Sequence, residues 1–431
     1  MNGFTAEYIK KLHSLGVRDL FRYWDELEKI GREKNQLAQV VRLLVLADLY
    51  YLLVRVCGRV DMLPCVNRPG FVDNQFAFER CREVEANPDG YLDLWSREHW
   101  KTSILTFGKT LQDILTNPEI TIGIFSHTRP IAKAFLRQIM REIENNRALH
   151  AAFPDILCGT DVRQYPKFSE DDGWICLRKT NPNEATVEAW GLVDGMPVSK
   201  HFHVLHYDDI VVQGSVTTPE MLAKTMQAIE LSYNLGKTGG PRRAAGSKYH
   251  FNDAYRSMLD RGTFKLREYP GRIGGTEDGE SVLWDEKTHA EKRASMGPYV
   301  YASQILLNPK ADALQGFRRE WLRYHSGITP ERARRMNKYI LVDAANAKRK
   351  ESDYTAMWVI GLETDGNYYA LDLIRDRLNL TERTERLFEL HRRWKKRPEE
   401  RIRVRYERYG LMADIDHIKV EQEKQNYRFD I

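Results

Sequence analysis

Cysteine is scarce in this chain, five in 431 residues, and no two of Cys57, Cys65, Cys81, Cys158 and Cys176 stand in a CxxC spacing. So sparse and odd a set argues against a disulfide framework or a zinc site, and suits a reducing cytoplasm. Long apolar runs are also missing. No stretch reaches the roughly 18 residues of a membrane-spanning helix, and residues 1–20, with Glu7, Lys10, Lys11 and Asp19, lack the apolar core of a secretory signal. Charge of one sign is lacking too. Lys and Arg total 66 against 61 Asp and Glu, a net charge of +5, too little to predict nucleic-acid binding by itself. The basic clusters lie late, at 332–335, 348–350 and 392–397. Each, taken alone, reads equally well as a solvated helix face.

What is present is the texture of a multidomain α/β protein, because the chain is too long for one core. Residues 1–88 are helical in pattern. Within them, 36–56 is spaced like one buried helix, and 68–75 is a Pro/Gly/Asn loop. From Gly90, short apolar runs alternate with helical segments. Strands are expected at 91–95, 120–125, 186–190, 202–207 and 242–246, with helices at 102–115, 130–145 and 219–235. Residues 270–280 read as a surface loop and 311–336 as a connector. A second α/β texture follows over 337–431. Strands are expected at 339–344, 354–362 and 368–373, the last two joined by the hairpin turn Asp365-Gly366-Asn367. A helix at 381–394, a strand at 402–406 and a helix at 411–425 complete it. Residues 427–431 read as the opening of a fifth strand, so a continuation beyond Ile431 is expected.

Chemistry gathers at two places. After the first strand comes Ser96-Arg97-Glu98-His99-Trp100-Lys101-Thr102-Ser103, then a helix. A phosphate-binding loop needs this placement: amides at a helix start face the phosphates, a lysine reaches the β and γ oxygens, and a hydroxyl holds Mg²⁺. Lys101 and Thr102 fit those roles. Neither glycine of the standard pattern is present, so the loop alone reads more readily as an ordinary surface turn. The strand 202–207 ends in Asp208-Asp209. An acid there holds Mg²⁺ and the next activates water, which assigns Asp208 to the metal and Asp209 to the base. Asp209 is one methylene shorter than the usual glutamate. The bland alternative is a pair of solvated turn carboxylates. Gly246-Ser247, closing the strand 242–246, has the form of a γ-phosphate sensor. His201, His203 and His206 lack a convergent ligand set and read as polar positions on a half-exposed strand.

The second place is Asp343, in the apolar strand 339–344, and Glu407, which closes the strand 402–406. If the first and fourth strands are neighbours, the two carboxylates meet and hold two divalent ions, Mg²⁺ or Mn²⁺, across a phosphodiester. Asp353 either joins that site or caps its turn. A site of this kind wants a third carboxylate from a later helix, and none follows in the sequence. Weak or absent cleavage is therefore expected of this chain.

The series WSREHWKTS, IGIFSHTRPIAKAFLRQI, VEAWGLVDG, VLHYDDIV, AAGSKYHFND, ILVDAANAKRKESDYTAMWVIGL, NYYALDLIRDRLNLTER and VRYERYGLMADIDHIK resembles, in order and spacing from about residue 35 onward, the large subunits of tailed-phage terminases. The resemblance implies an N-terminal helical segment (1–88), a P-loop ATPase domain of RecA/helicase-like α/β fold (89–310), a linker (311–336) and an incomplete RNase H-like α/β nuclease domain (337–431). Members carry a glycine-poor phosphate loop with an arginine inside it, which makes Arg97 a γ-phosphate-sensing or finger residue. Ser96, Arg97, Lys101, Thr102, Asp208 and Asp209 would then serve hydrolysis of ATP with Mg²⁺. Gly246 and Ser247 would couple it to motion, and Asp343, Glu407 and Asp353 would bind the nuclease metals. The implied partners are double-stranded DNA, a portal protein, a small terminase subunit and further copies of the chain in a ring on a procapsid. No membrane is implied, and the implied place is the host bacterial cytoplasm. Two other readings share the motifs: a helicase- or transposase-like P-loop enzyme without a packaging role, and a non-catalytic prophage remnant that binds DNA or portal.

Overall fold

The computed structural model describes residues 5–159, 161–250, 253–309, 323–325, 327–344, 354–397, 399–407 and 412–431. The chain divides into two compact units, Met1–Arg318 and Arg319–Ile431.

The first unit is built on an eight-stranded sheet. Its strands are β1 (Tyr91–Trp95), β2 (Ile122–Ser126), β3 (Lys167–Ser169), β4 (Gly173–Ile175), β5 (Val187–Gly191), β6 (Val204–Asp208), β7 (Arg242–Gly246) and β8 (Lys265–Tyr269), in the order β3-β4-β5-β2-β6-β7-β1-β8. The six strands from β5 to β8 in that order are parallel, and β3 and β4 form an antiparallel edge. Parallel strands need both faces covered, which accords with the buried runs of β1, β2 and β6; β8 at the edge is polar and half-exposed. Alternation along each strand sends neighbours to opposite layers. Trp95, Ile122, Ile124, Val204 and Ala245 pack with the helices Arg129–Asn145 and residues 101–116. Leu92, Leu94, Phe125, Leu205, Tyr207 and Ala244 face the layer of helices Pro219–Ser232 and Ala254–Asp260. The helices expected in residues 1–88 share the first of these cores, through Leu20, Trp24, Leu44, Leu52 and Leu53.

The helix expected over 36–56 is two helices. Leu37–Ala47 and Leu49–Val56 meet at 115°. The cause is Asp48, extended at φ −147° and fully buried. Its Oδ1 accepts the amides of Tyr50 (3.0 Å) and Tyr51 (3.1 Å) and caps the second helix. Its Oδ2 accepts Trp24 Nε1 and Arg82, each at 3.1 Å. A capping acid inside an apolar run looks, in sequence, like one polar position on a helix.

The second unit holds β9 (Asn337–Asp343), β10 (Thr355–Leu362), β11 (Tyr368–Asp376) and β12 (Ile402–Tyr406), ordered β11-β10-β9-β12. The first three form an antiparallel meander, and β12 returns parallel to β9. Ile340, Val342, Met357, Val359 and Val404 pack beneath the helix Leu380–Trp394. Asn379 caps that helix, accepting Glu382 N at 2.9 Å. Residues 427–431 add Tyr427, Phe429 and Ile431 to this core. They do not open a strand: one backbone bond, Val404 N to Asp430 O at 3.1 Å, ties them to β12. Part of the expected 311–336 connector is a helix, Pro330–Arg335, whose Arg332 bonds Glu363 at 2.7 Å.

Candidate nucleotide site and a second acidic pair

In the first unit the carboxyl ends of β1, β7 and β6 lie side by side, with β7 between the other two. Ligands of open α/β sheets bind outside such ends. Here a cleft of about 430 Å³ is lined by Ser96–Ser103, Asp209 and Ser247, large enough for a small ligand. Lys101 and Thr102 open the helical segment that follows the loop. Its first turn leaves amides without carbonyl partners, a favourable end for an anion.

The loop without glycines takes the backbone shape that glycines would supply. Glu98 and Trp100 have φ of +61° and +58°, a left-handed conformation that side chains resist, at about 1–3 kcal/mol each. Surrounding contacts hold it. Trp100 Nε1 donates to Asp61 Oδ2 at 2.9 Å, and Glu98 pairs with Lys292 at 2.6 Å. The His99 ring lies edge-on to Phe76 and Trp284, at 5.5 and 5.0 Å. Burial lowers the His99 pKa to about 4, so the ring is neutral, its Nδ1 2.8 Å from the Arg97 carbonyl oxygen.

Lys101, 8% exposed, points across to the end of β6. Its Nζ lies 2.5 Å from Asp209 Oδ1 and 3.4 Å from Asp208 Oδ1. Burial alone would lower its pKa, but the two carboxylates together raise it. Asp208 is fully buried, and burial raises its pKa against the pull of Lys101. Its Oδ2 accepts a short hydrogen bond from Thr106, and the nearby Thr102 hydroxyl helps to hold its pKa down. Its Oδ1 has no hydrogen-bond partner beyond the longer ion pair. An unpaired buried carboxylate oxygen beside a threonine hydroxyl and a lysine fits a divalent ion accompanying a polyphosphate. Asp209 is held by its backbone: φ is +48°, and its amide donates to Ala245 O at 3.0 Å.

Ser247 lines the same cleft and is buried, its hydroxyl donating to Trp95 O at 3.1 Å. Gly246 lies against Tyr255: a Cβ at 246 would stand 2.1 Å from that hydroxyl. Arg97 lines the cleft with its side chain hydrogen-bonded to the Tyr249 hydroxyl. The amides of Ser96 and Arg97 are already used, by Tyr269 O (2.8 Å) and Gln304 O (3.1 Å), so these two do not supply backbone donors to a phosphate.

Sequence reasoning missed Thr106 and misread His206. His206 is 1% exposed rather than on a half-exposed strand. It sits on the Asp208 face of β6, under the helical segment 101–116, with its Nε2 2.8 Å from Thr106 Oγ1. Period two from Asp208 carried that information. So did a hydroxyl amid Ile104, Leu105 and Phe107.

In the second unit, Glu407 N donates to Val342 O at 2.9 Å, bringing Glu407 beside Asp343 across the β9–β12 pairing. Asp343 closes its strand on the exposed side rather than sitting within the apolar run. Its carboxyl is raised in pKa by partial burial, by the Glu407 charge and by a hydrogen bond between the two side chains. A cleft of about 310 Å³ beside them is lined by Leu341, Ala356, Trp358 and Arg405. Asp353 lies outside the described residues. Among the described residues no group of three His, Cys, Asp or Glu side chains gathers as a metal site; Asp343 and Glu407 stand there as a pair of carboxylates.

No protein-family model and no curated protein matches the chain. Among solved structures it is similar to the large terminase of a thermophilic bacteriophage in complex with ADP, at 12% identity and a TM-score of 0.31, covering 79% of this chain and 76% of that one. The same phage protein with ATP-gamma-S aligns at 10% identity and a TM-score of 0.32, over 90% and 80% of the two chains. The large terminase of bacteriophage HK97 aligns at 14% identity and a TM-score of 0.37, over 81% and 73%.

Proposed function

We propose that this chain is a DNA-packaging motor subunit of the large-terminase kind, in which ATP hydrolysis by the first unit drives movement of double-stranded DNA. One observation carries the reading. Lys101 and Asp209, 108 positions apart in sequence, meet at one anion-sized cleft, with Asp208 buried beside the lysine. In this reading Lys101 leaves Asp209 for the β and γ oxygens when nucleotide enters. Asp208 and Thr102 would hold Mg²⁺, which supplies charge neutralisation at the phosphates. Asp209, freed of the lysine, orients and deprotonates the attacking water. Arg97 moves from Tyr249 toward the γ-phosphate, and Gly246-Ser247, on the strand between, feels the change. Asp343 and Glu407 belong, in the same reading, to a metal-dependent endonuclease site. Portal protein, a small terminase subunit and further copies of the chain on a procapsid in a bacterial host follow as partners. DNA contact is chiefly to phosphates and therefore salt-sensitive.

The test is ATPase activity with and without duplex DNA, on wild type and Lys101→Ala. DNA-stimulated hydrolysis lost by about 10²-fold or more in the variant is expected, the scale of removing a group that meets transition-state charge. No hydrolysis in either protein under ring-forming conditions would favour the non-catalytic remnant. Strand unwinding would favour the helicase-like enzyme.

A further inference from the structure

The helical segment after the phosphate loop is not regular. Ser103–Lys109 is a π-helical stretch running into the α-helix Thr110–Thr116. Such widened turns re-aim side chains and gather at functional places. The side chain aimed here is Thr106, fully buried, which touches the acid at the head of β6 and the histidine two residues before it.

Hydrogen counting fixes the direction of this chain of contacts. A hydroxyl has one proton, and Thr106 gives it to Asp208 Oδ2. Thr106 must then accept from His206, so His206 carries its proton on Nε2. Its Nδ1 is a bare, buried lone pair, which agrees with the absence of any partner for that atom. The line His206 Nε2–H, Thr106 Oγ–H, Asp208 Oδ2 runs one way. It engages one oxygen of Asp208 and leaves the other, Oδ1, toward Lys101, which itself lines the cleft.

We propose that Thr106 is a positioning residue for metal–nucleotide binding: backed by His206, it holds the Asp208 carboxylate so that Oδ1 faces the divalent ion of a bound nucleoside triphosphate. This rests on the ATP-hydrolysis reading above. It also gives the π-helical stretch a reason, since its wider turn is where the hydroxyl faces β6.

The experiment measures affinity rather than turnover. A fluorescent ATP analogue is titrated into wild type, Thr106→Val and Thr106→Ser, each with Mg²⁺ and with EDTA. Wild type is expected to bind more tightly with Mg²⁺. Thr106→Val should lose about tenfold of that Mg²⁺-dependent gain while its EDTA affinity stays put, the scale of one hydrogen bond to a charged group. Thr106→Ser, which keeps the hydroxyl, should restore the gain. An undiminished gain in Thr106→Val overturns the proposal. So does an equal loss in both buffers, which marks a merely structural role. Should Thr106→Val not fold, Thr106→Ala carries the same comparison. Wild type that binds no nucleotide in either buffer defeats the ATP-hydrolysis reading itself, a result distinct from the other two.

Discussion

Removing Lys101 should damage the fold as well as the chemistry, and the two losses separate. The lysine side chain is 9% exposed, and its partners Asp208 and Asp209 are 0% and 39% exposed. Lys101→Met keeps the stem and deletes the charge, which leaves a buried carboxylate with a like charge beside it. Breaking a buried pair by removing one partner costs about 3–5 kcal/mol, but the Asp209 share is screened by solvent, so about 3 kcal/mol is expected. Asp208→Asn removes the stranded charge, so the double variant should regain at least half of that loss. Its ATPase should stay absent, because neither lysine nor acid is present. Urea unfolding of the full chain measures the four stabilities. Hydrogen exchange in Val204–Asp208 assigns the affected transition to the first unit. A loss under about 1 kcal/mol in Lys101→Met, or a double variant whose losses simply add, would refute the idea that this lysine neutralises a buried acid.

Gly246→Ala should destabilise the first unit by about 1–3 kcal/mol, the usual scale of overpacking, because the new Cβ meets the buried Tyr255 ring end. Thermal unfolding of Gly246→Ala with and without Tyr255→Leu checks it, the second change expected to restore much of the loss. Stability should also fall on mild acidification through His99. Its folded pKa of about 4 lies below the unfolded value of 6.5, so its contribution is complete above pH 6.5 and is lost as pH falls from there toward 4. Between pH 7 and 5 the loss attributable to this ring is about 2 kcal/mol. A wild-type urea midpoint that falls no faster with acid than that of His99→Phe would contradict it.

The strands at Tyr91–Trp95, Arg242–Gly246 and Ile402–Tyr406 were legible to the residue: the first as a short apolar run between polar breaks, the last by its alternation of apolar and charged residues. β8 was not. Its sequence KLREY looks like an exposed turn, yet Arg267 is buried because its guanidinium pairs with Asp93 on β1 at 2.8 Å. A partner 174 positions away cannot be seen in a local pattern. β3 and β4, three residues each, are too short to show alternation. At the site, Lys101, Thr102, Asp208 and Asp209 stood out by type and place, since charged groups at strand and helix ends are few. Thr106 and His206 did not, because a hydroxyl and an imidazole inside apolar elements look like ordinary substitutions until the partner across the layer is known. Asp343 and Glu407 were brought together on paper by assuming that β9 and β12 are neighbours, and the parallel β9–β12 register has that geometry.

A loop made with Glu98 and Trp100 where flexibility would ordinarily come from glycine would, as a phosphate cradle, act as a mould rather than a glove. It is anchored by Asp61, Lys292 and the rings around His99, contacts that need no ligand to form. Less ordering entropy is then lost on each filling. A stiff seat also transmits nothing by reshaping itself. In the proposed motor, any mechanical stroke would start on the facing lip, at the lysine–aspartate contact that nucleotide would have to break.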